Sequence, residues 1–274
     1  MRQFSPYPLR FEAVNRPKIW GCERWLVSSH PSCPSVISNG LLKGRALNEV
    51  YPGFFLLIKE IIPESWLSVQ VHPDEKACKA VGGEPKTEMW RVLSTGTIIA
   101  GVKKGIAKGD VEDFLAKGKV TECLNYVDVN QGDIITIQAG LIHALGPGVR
   151  VFEIQQCSDT TFRLYDWDRI DERGERRALQ IEEAFIALDF NKEVSIGRKE
   201  SKALNFIFAE EDYVGVTQIE TENNFLVIYC AFGDMLVEGE SLSAGDVILL
   251  PPKMCAKIKA KEAKAFIARI SNNG

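Results

Sequence analysis

Long apolar runs are missing from this sequence. The longest, around residues 227–232, is far shorter than the roughly 20 residues that a membrane-spanning helix requires. Residues 1–6 contain no apolar segment of the kind that directs secretion. We therefore expect a cytoplasmic protein that has no membrane partner.

Positive charge is not in excess either. The 274 residues include 33 lysines and arginines against 37 aspartates and glutamates, which gives a formal net charge of −4. A chain of this balance has no general positive field to attract nucleic acid, so we expect no nucleic-acid partner. A local cationic pocket for a small phosphate is still compatible with this charge balance.

The cysteines show no pairing pattern. There are seven of them, scattered along the chain, and no CxxC pair occurs. An odd, scattered set is not the disulfide framework of a small secreted domain. Reduced thiols in a cytosolic compartment are the better interpretation.

Helical periodicity is confined to three stretches. The first follows the N-cap candidate Asp74 and ends at Gly82, and the second opens at Asp110, also a candidate N-cap, and ends at Gly118. The third covers residues 178–188, with apolar residues at helical spacing. Their apolar stripes are expected to contact the core.

Short β-rich segments separated by glycine, proline and aspartate dominate the rest. They include residues 54–58, 67–71, 98–102, 134–137, 149–154, 225–229, 246–250 and 265–270. Strands at such close spacing, with turn residues between them, favour an antiparallel sandwich or barrel over parallel βαβ units. We therefore predict a mainly β fold with a few short helices.

A weak internal repeat suggests two similar modules. A Gly-Asp turn at Gly132 leads into an apolar strand and a bend, and the same order follows Gly245. The first copy continues to His143, whereas the second reaches no histidine. We expect an N-terminal module over residues 1–190 that holds the site, and a structural C-terminal module over residues 191–274.

Histidine is scarce, with three copies in the chain. Strand alternation places Ser68, Gln70 and His72 on one face. Glu88 and His143 could join them. Together, Gln70, His72, Glu88 and His143 would offer two imidazole nitrogens and two oxygens. Such a thiolate-free set suits zinc or another first-row divalent ion in an open site, at which a water or substrate oxygen binds.

The same residues also have ordinary structural explanations. His72, which precedes Pro-Asp, could cap a helix or lie on the surface. His143 could be a hydrogen-bonded histidine of a barrel interior, and Glu88 could be a surface carboxylate. Spacing alone leaves these interpretations open and names no reaction.

Several motifs occur together in an order typical of one family. They are Ile-Trp-Gly at 19–21, Trp-Leu-Val-Ser-Ser-His-Pro at 25–31, Leu-Ser-Val-Gln-Val-His-Pro-Asp-Glu at 67–75, Lys-Thr-Glu-Met-Trp at 86–90, Ala-Gly-Leu-Ile-His at 139–143 and Ser-Asp-Thr-Thr-Phe-Arg at 158–163. The similarity covers most of residues 15–190. In these motifs the chain resembles the type I mannose-6-phosphate isomerases of the cupin superfamily.

The resemblance implies roles for individual residues. The ligands of one zinc ion per chain would be Gln70, His72, Glu88 and His143. The catalytic residues would be Arg163, Lys86 and Glu153, with Ser68 and Arg169 as substrate-binding residues.

The resemblance also implies a fold and a reaction. The fold would be two cupin-type (jelly-roll) barrels, the second of them degenerate. The reaction would interconvert mannose 6-phosphate and fructose 6-phosphate through an enediol, with Glu153 or Lys86 as the proton shuttle. Two alternatives stay open: a cupin isomerase of another hexose phosphate, such as glucose 6-phosphate, and a non-catalytic, metal-bearing sugar-binding protein.

Overall fold

The computed structural model describes residues 5–171, 173–204 and 206–270 of the chain. Within these ranges the regular structure is mostly strand, arranged in two seven-stranded sheets and one five-stranded sheet. The prediction of a mainly β fold with a few short helices is confirmed. None of the helices in these ranges is long and apolar enough to cross a membrane.

The elements have the following bounds. The helices are α1 (Leu47–Val50), α2 (Glu75–Val81), α3 (Lys108–Ala116) and α4 (Ile181–Ala187). The strands are β1 (Leu9–Arg10), β2 (Val14–Lys18), β3 (Gly21–Ser28), β4 (Leu56–Pro63), β5 (Val69–Val71), β6 (Glu88–Val92), β7 (Gly96–Val102), β8 (Leu124–Val129), β9 (Ile134–Ile137), β10 (His143–Leu145), β11 (Val151–Gln156), β12 (Phe162–Tyr165), β13 (Ser195–Gly197), β14 (Glu200–Ala203), β15 (Phe206–Glu220), β16 (Phe225–Val237), β17 (Glu240–Ser243), β18 (Val247–Leu250) and β19 (Cys255–Ile270).

Contacts divide the chain into two units. One unit contains Asn15–Trp25 and Ile58–Arg198, and the other contains the segment up to Val14, Leu26–Leu57 and the segment from Lys199 onward. Two N-terminal segments therefore group with the C-terminal strands. The modules 1–190 and 191–274 stay a prediction about domains, to which the contacts add this interleaving.

Two sheets build the unit that contains Ile58–Arg198. The five-stranded sheet has the order β12-β5-β10-β7-β8, and the seven-stranded sheet has the order β13-β9-β6-β11-β4-β3-β2. Apolar side chains of both sheets share one buried cluster, with Trp90 and Ile135 from the larger sheet and Ile98 and Leu145 from the smaller. The two sheets therefore pack face to face.

Helix α2 forms where the sequence predicts it. The carboxylate of Asp74 accepts the N–H of Ala77 at 2.8 Å, which satisfies a donor that the first turn leaves unpaired. Gly82 follows the helix with a φ of +83°, a conformation that glycine adopts at little cost. Helix α4 lies inside the predicted stretch 178–188 but is shorter.

Helix α3 begins before the predicted N-cap. Its first residue is Lys108, and Asp110 lies inside the first turn. The carboxylate of Asp110 reaches back and accepts the N–H of Ala107 at 2.8 Å. The prediction that Asp110 is the N-cap is therefore wrong, because this aspartate caps the helix from its third position.

The internal repeat is one hydrogen-bonded turn that occurs twice. In the first copy the carboxylate of Asp133 accepts the N–H of Asn130 at 2.8 Å. In the second copy the carboxylate of Asp246 accepts the N–H of Ser243 at 3.0 Å. The glycines that precede the two aspartates have φ values of +102° and +94°. The same turn therefore leads into β9 in one unit and into β18 in the other.

The second unit has an apolar interior. Its long strands β15, β16 and β19 contribute to a buried cluster that includes Ile228, Ile258 and Ile267. Ala256 of this cluster follows its Gly-Asp turn at the interval at which His143 follows the other one. An alanine therefore stands where the first unit has its histidine.

Candidate active site

Strand register aligns three polar residues in the five-stranded sheet. Gln70 on β5 is paired with Arg163 on β12 at one side and with His143 on β10 at the other. Directly paired residues share one face of a sheet. Because His143 contacts Glu88 of the facing sheet, this face points into the space between the two sheets.

The facing sheet presents a second polar set. Glu88 and Trp90 are two residues apart on β6, so their side chains lie on the same face. The register pairs Glu88 with Gln155 on β11, and Trp90 with Glu153. All four side chains are buried. Buried polar groups are costly unless they find partners, so this set marks the space between the sheets as a candidate site.

Glu88 lies between two histidines. Its Oε2 is 3.3 Å from Nε2 of His72, and its Oε1 is 3.3 Å from Nε2 of His143. One possible ligand atom from each of the three residues lies within 4.8 Å of the other two. Gln70 Nε2 is 3.4 Å from Nε2 of His143, so the fold brings together all four residues of the expected ligand set.

Backbone carbonyls orient both imidazole rings. Nδ1 of His72 is 2.9 Å from the carbonyl oxygen of Thr160, and Nδ1 of His143 is 2.9 Å from that of Leu141. A carbonyl oxygen only accepts, so each Nδ1 carries a proton and donates it. In a neutral ring this leaves Nε2 unprotonated and directed at Glu88, which is the arrangement of a metal-ligating histidine.

Burial and charge set the ionisation of this centre. Burial, together with the charge of Lys86, lowers the pKa of His72 to about 3. Burial alone would raise the pKa of Glu88, but the charge of Lys86 and the contacts of both histidines hold it well below its usual value. At neutral pH the centre therefore combines an ionised Glu88 with a neutral His72.

Two inward-facing atoms of the centre face each other without a hydrogen bond between them, and the ammonium of Lys86 lies 3.0 Å from the carboxylate oxygen. They are His72 Nε2 and Glu88 Oε2, and both are buried. Two lone pairs that face each other at 3.3 Å are unfavourable unless a cation lies between them. Two imidazole nitrogens, a carboxylate and an amide therefore fit a first-row divalent metal ion.

Lys86 and Ser68 lie beside this centre. Lys86 is buried, and its Nζ is 3.0 Å from Oε2 of Glu88. The hydroxyl of Ser68 donates to Oε1 of Gln70 at 3.4 Å. Because the two ends of an amide have the same shape, a half-turn of the Gln70 amide would direct its oxygen towards His143 and the metal ligands.

Glu153 is held by two buried donors. The indole Nε1 of Trp90 donates to its Oε1 at 2.7 Å, and Nζ of Lys59 lies 2.8 Å from its Oε2. Burial and the charge of Glu88 raise the pKa of Glu153 against the opposing charge of Lys59. A carboxyl group with a raised pKa can exchange a proton closer to neutral pH, which suits an acid–base role.

Arg163 adds a cation to the aligned residues Gln70 and His143 of the five-stranded sheet. Its Nε is buried and makes no hydrogen bond within the described part of the chain. Burial and the charge of Arg177 lower the pKa of Arg163. A guanidinium with an unused donor directed into a site is suited to bind the oxygens of an anion.

Arg169 is engaged elsewhere. It donates to the carboxylate and carbonyl of Asp166, to the hydroxyl of Ser65 at 3.3 Å and to the carbonyl of Trp66 at 2.6 Å. Among the described residues, its hydrogen bonds are thus with its own turn and with the segment before β5. Its expected part in substrate binding stays a prediction.

Two residues of the site escape prediction from the sequence. Gln155 donates from Nε2 to the carbonyls of Gln156 and Ser158, and its Oε1 is buried without a hydrogen bond in the described ranges. Lys59 lies on β4 and contacts Glu153. A lysine inside the apolar run Leu-Leu-Ile-Lys-Glu-Ile-Ile is a signal that could have identified Lys59. The sequence signal for Gln155 is weaker: it lies two residues after Glu153 and therefore on the same face of the strand.

Comparison with known proteins identifies relatives of this chain. No protein-family model matches it. The mannose-6-phosphate isomerase of Streptococcus mutans is 35% identical over 217 residues, which cover 68% of this chain and 69% of that protein. The identity and the coverage are high enough to show a common family.

Solved structures share the fold. The mannose 6-phosphate isomerase of Bacillus subtilis superposes with a TM-score of 0.86 at 27% identity, over 96% of this chain and 99% of the other. A zinc-bound mannose 6-phosphate isomerase superposes with a TM-score of 0.72 at 13% identity, over 96% and 99%. These neighbours confirm the expected cupin-type fold. From this identity, this coverage and this common fold, we conclude that the chain belongs to the mannose-6-phosphate isomerase family of enzymes.

Proposed function

We propose that this chain interconverts mannose 6-phosphate and fructose 6-phosphate. The observation that carries the proposal is the buried centre of His72, Glu88 and His143 beside Gln70, in a chain of this family. The reaction moves a proton between C1 and C2 of the sugar by way of an enediol. It requires an electrophile for the carbonyl oxygen, a carboxylate or amine for the proton, and a cation for the phosphate-bearing substrate.

We propose that the metal is zinc, one ion per chain, held by Gln70, His72, Glu88 and His143. Imidazole nitrogens and carboxylate or amide oxygens, without a thiolate, match the ligands of catalytic zinc sites. When bound, the ion would polarise the carbonyl group of the sugar. The carbonyls behind the two imidazole rings and the hydroxyl of Ser68 behind the Gln70 amide hold these ligands in orientation.

Glu153 is our candidate for the proton shuttle. Its raised pKa makes it a stronger base than an ordinary glutamate, and Trp90 and Lys59 hold it in one position. It would take the proton from C2 of the aldose and return it to C1 of the enediol, while a second proton passes between the two sugar oxygens. Lys86 is the second candidate, and its contact with Glu88 also gives it a role in holding a metal ligand.

Positive charge in the site is suited to a phosphorylated sugar. Nε of Arg163 has no acceptor among the described residues, and Arg163 lies next to Gln70 in the sheet, so we propose that it binds the anionic oxygens of the substrate. Ser68 and Arg169 are further candidates for contacts with the substrate. A cytosolic location also stays a prediction, which rests on the use of cysteine in the sequence.

The two alternative functions differ from this proposal in their substrate or in having no turnover at all. An isomerase of glucose 6-phosphate would use the same centre and the same cation, whereas a sugar-binding protein would need no proton shuttle. The buried carboxyl group of Glu153, which Trp90 and Lys59 hold in one position, favours an enzyme, because binding alone does not require a positioned acid–base group.

The test is a substrate panel with the zinc-loaded protein. Mannose 6-phosphate, glucose 6-phosphate and unphosphorylated mannose are supplied separately, and the ketose product is measured. We expect fructose 6-phosphate from mannose 6-phosphate, with kcat/KM at least about 100-fold above that of unphosphorylated mannose, since charge-assisted hydrogen bonds to a phosphate contribute roughly 1.5–3 kcal/mol each. Preferential turnover of glucose 6-phosphate, or binding of mannose 6-phosphate without turnover, would contradict the proposal.

A further inference from the structure

A line of alternating charges leads away from Glu153 across the seven-stranded sheet. Lys59 Nζ is 2.8 Å from Glu153 Oε2 and 3.2 Å from Glu23 Oε1, and Lys18 Nζ is 3.3 Å from Glu23 Oε2. The four residues come from β11, β4, β3 and β2, which are consecutive neighbours in this sheet. One charged side chain from each strand therefore forms a chain of ion pairs.

The line runs from the interior to the surface. The exposed fraction of the side chain is 1% for Glu153, 7% for Lys59, 11% for Glu23 and 32% for Lys18. Glu23 also accepts the indole N–H of Trp25 at 2.8 Å, so both of its oxygens have buried partners. Only the outermost charge is substantially in contact with water.

Stability alone does not account for this arrangement. Removing charges from water carries a penalty of several kcal/mol per ion, and buried ion pairs can often be replaced by apolar residues without loss of stability. The inner end of the line is the carboxyl group to which we assign proton transfer. A fixed set of charges at that end would determine how strongly Glu153 holds its proton.

We propose that Glu23 is a positioning residue of the isomerase, which shares the ammonium group of Lys59 with Glu153 and so keeps Glu153 a strong enough base. This inference rests on the proposed function. If Glu23 were neutral, the ammonium of Lys59 would be left to Glu153 alone, and Glu153 would hold its proton less tightly. A weaker base removes a carbon-bound proton more slowly.

The charges in the line are stable over the working pH range. The charges of Lys59 and Lys18 overcome the effect of burial and lower the pKa of Glu23 to about 2. Burial lowers the pKa of Lys59, but the carboxylates of Glu153 and Glu23 more than reverse this and raise it above its usual value. Glu23 and Lys59 are therefore both charged whenever Glu153 titrates.

The surroundings of Glu153 define what else acts on it. The titratable groups that face it are Lys59 from β4, Glu88 from β6 and Lys86 from the segment before β6. Glu88 raises the pKa of Glu153, and the two lysines lower it. A substitution at Glu23 leaves the side chains of Glu88 and Lys86 unchanged and acts on Lys59 through their ion pair, so a shift in that variant reports the shared ammonium.

The experiment compares two substitutions with opposite charge effects in the zinc-loaded full-length chain. Glu23→Gln removes the negative charge and keeps the oxygen that Trp25 uses, and Lys18→Met removes the positive charge at the outer end. We expect the acid limb of the kcat/KM profile for mannose 6-phosphate to move to lower pH by about one unit in Glu23→Gln and to higher pH by a smaller amount in Lys18→Met. In Glu23→Gln, kcat should fall by roughly 3- to 10-fold while KM and the zinc content stay unchanged.

Glu60→Gln is the matched control. Glu60 follows Lys59 on β4, is equally buried and faces the other way, towards Arg24 at 3.6 Å. Its neutralisation removes the same charge from the neighbouring strand, at a carboxylate that contacts Arg24 and not Lys59, so we expect no shift of the acid limb. A loss of packing would move all three variants in one direction, whereas shared charge moves Glu23→Gln and Lys18→Met in opposite directions.

A second readout does not depend on turnover. The indole N–H of Trp90 donates to Glu153, so its NMR resonance, assigned with Trp90→Phe, follows the ionisation of that carboxyl group. We expect the midpoint of this titration to shift with the same signs as the acid limb. Unchanged midpoints in both variants would overturn the inference, whereas absence of turnover in the unsubstituted enzyme would overturn the proposed function instead.

Discussion

Arg163 shows at the scale of one residue what the site requires. Its Nε is buried without a hydrogen bond in the described residues, and burial lowers its pKa. A buried donor without a partner costs roughly 1–3 kcal/mol, more when the group is charged. A cost of this kind is maintained when a ligand supplies the missing acceptor, which is our interpretation of this arginine.

We therefore predict that Arg163→Met weakens substrate binding without weakening the fold. KM for mannose 6-phosphate should rise roughly 10- to 100-fold, the equivalent of about 1.5–3 kcal/mol for a charge-assisted contact. Tm should stay the same or rise, because the substitution removes an unpaired donor. Steady-state kinetics and thermal unfolding measure the two effects.

The control for this prediction is Arg176→Gln. Arg176 lies in the same part of the chain, but it is exposed and pairs with Asp168. Arg176→Gln should leave KM for mannose 6-phosphate unchanged. A fall in kcat at constant KM in Arg163→Met would instead place the guanidinium at the reacting carbons.

The four expected metal ligands could be inferred from residue types, whereas their orientation could not. Alternation places Gln70 and His72 together, and motif similarity adds Glu88 and His143. The carbonyl that holds His72 belongs to Thr160, which is distant in sequence, and the one that holds His143 belongs to the nearby Leu141; both are backbone atoms of residues without a distinctive side chain. Nothing in the sequence marks such partners, because any residue type can supply a carbonyl.

At the scale of the element, capping explains where the prediction for α3 is wrong. An aspartate near the start of a helix can act as the N-cap or as the third residue that reaches back to it. In α3 the second arrangement occurs, and Asp110 accepts the N–H of Ala107. The sequence offers both arrangements, and Gly109, which follows the first helical residue, makes the earlier start harder to recognise.

Asp110→Ala should lower the free energy of unfolding by about 0.5–1 kcal/mol, because it leaves the N–H of Ala107 without its acceptor and removes a favourable charge from the helix N-terminus. Urea unfolding measures the change. Asp113→Ala in the same helix is the comparison, since in the described part of the chain the carboxylate of Asp113 makes an exposed ion pair with Lys117 at 3.7 Å and no capping contact. Equal losses in the two variants would show that the capping contact contributes nothing.

The long strands of the second unit were predicted only in part. Segments 225–229 and 265–270 are recognisable as apolar runs, whereas β16 extends to Val237 and β19 begins at Cys255. The added part of β19 carries alternating lysines and small residues, and that of β16 contains Gly233 and Asp234; both compositions have a weak strand signal of their own. Register shifts interrupt the pairing of β15 and β16 with β19, and Gly215 and Gly233, both with positive φ, lie at two of these shifts.

At the scale of the whole molecule, one repeated turn leads to two different interiors. Both units use a Gly-Asp turn with an aspartate cap before an apolar strand. In one unit the following chain contributes His143 to a polar centre, and in the other it contributes Ala256 to an aliphatic core. The sequence repeat is the basis for predicting two modules, and the missing histidine is the basis for predicting that the second module is structural; both stay predictions.

The central claim is that a metal held by Gln70, His72, Glu88 and His143 is required for isomerisation of mannose 6-phosphate. The most direct measurement is turnover of this substrate by the protein after a chelator has removed its metal, before and after one equivalent of zinc is added. Our account predicts that turnover disappears with the metal and returns with zinc. Full turnover by protein that elemental analysis shows to be free of metal would contradict it.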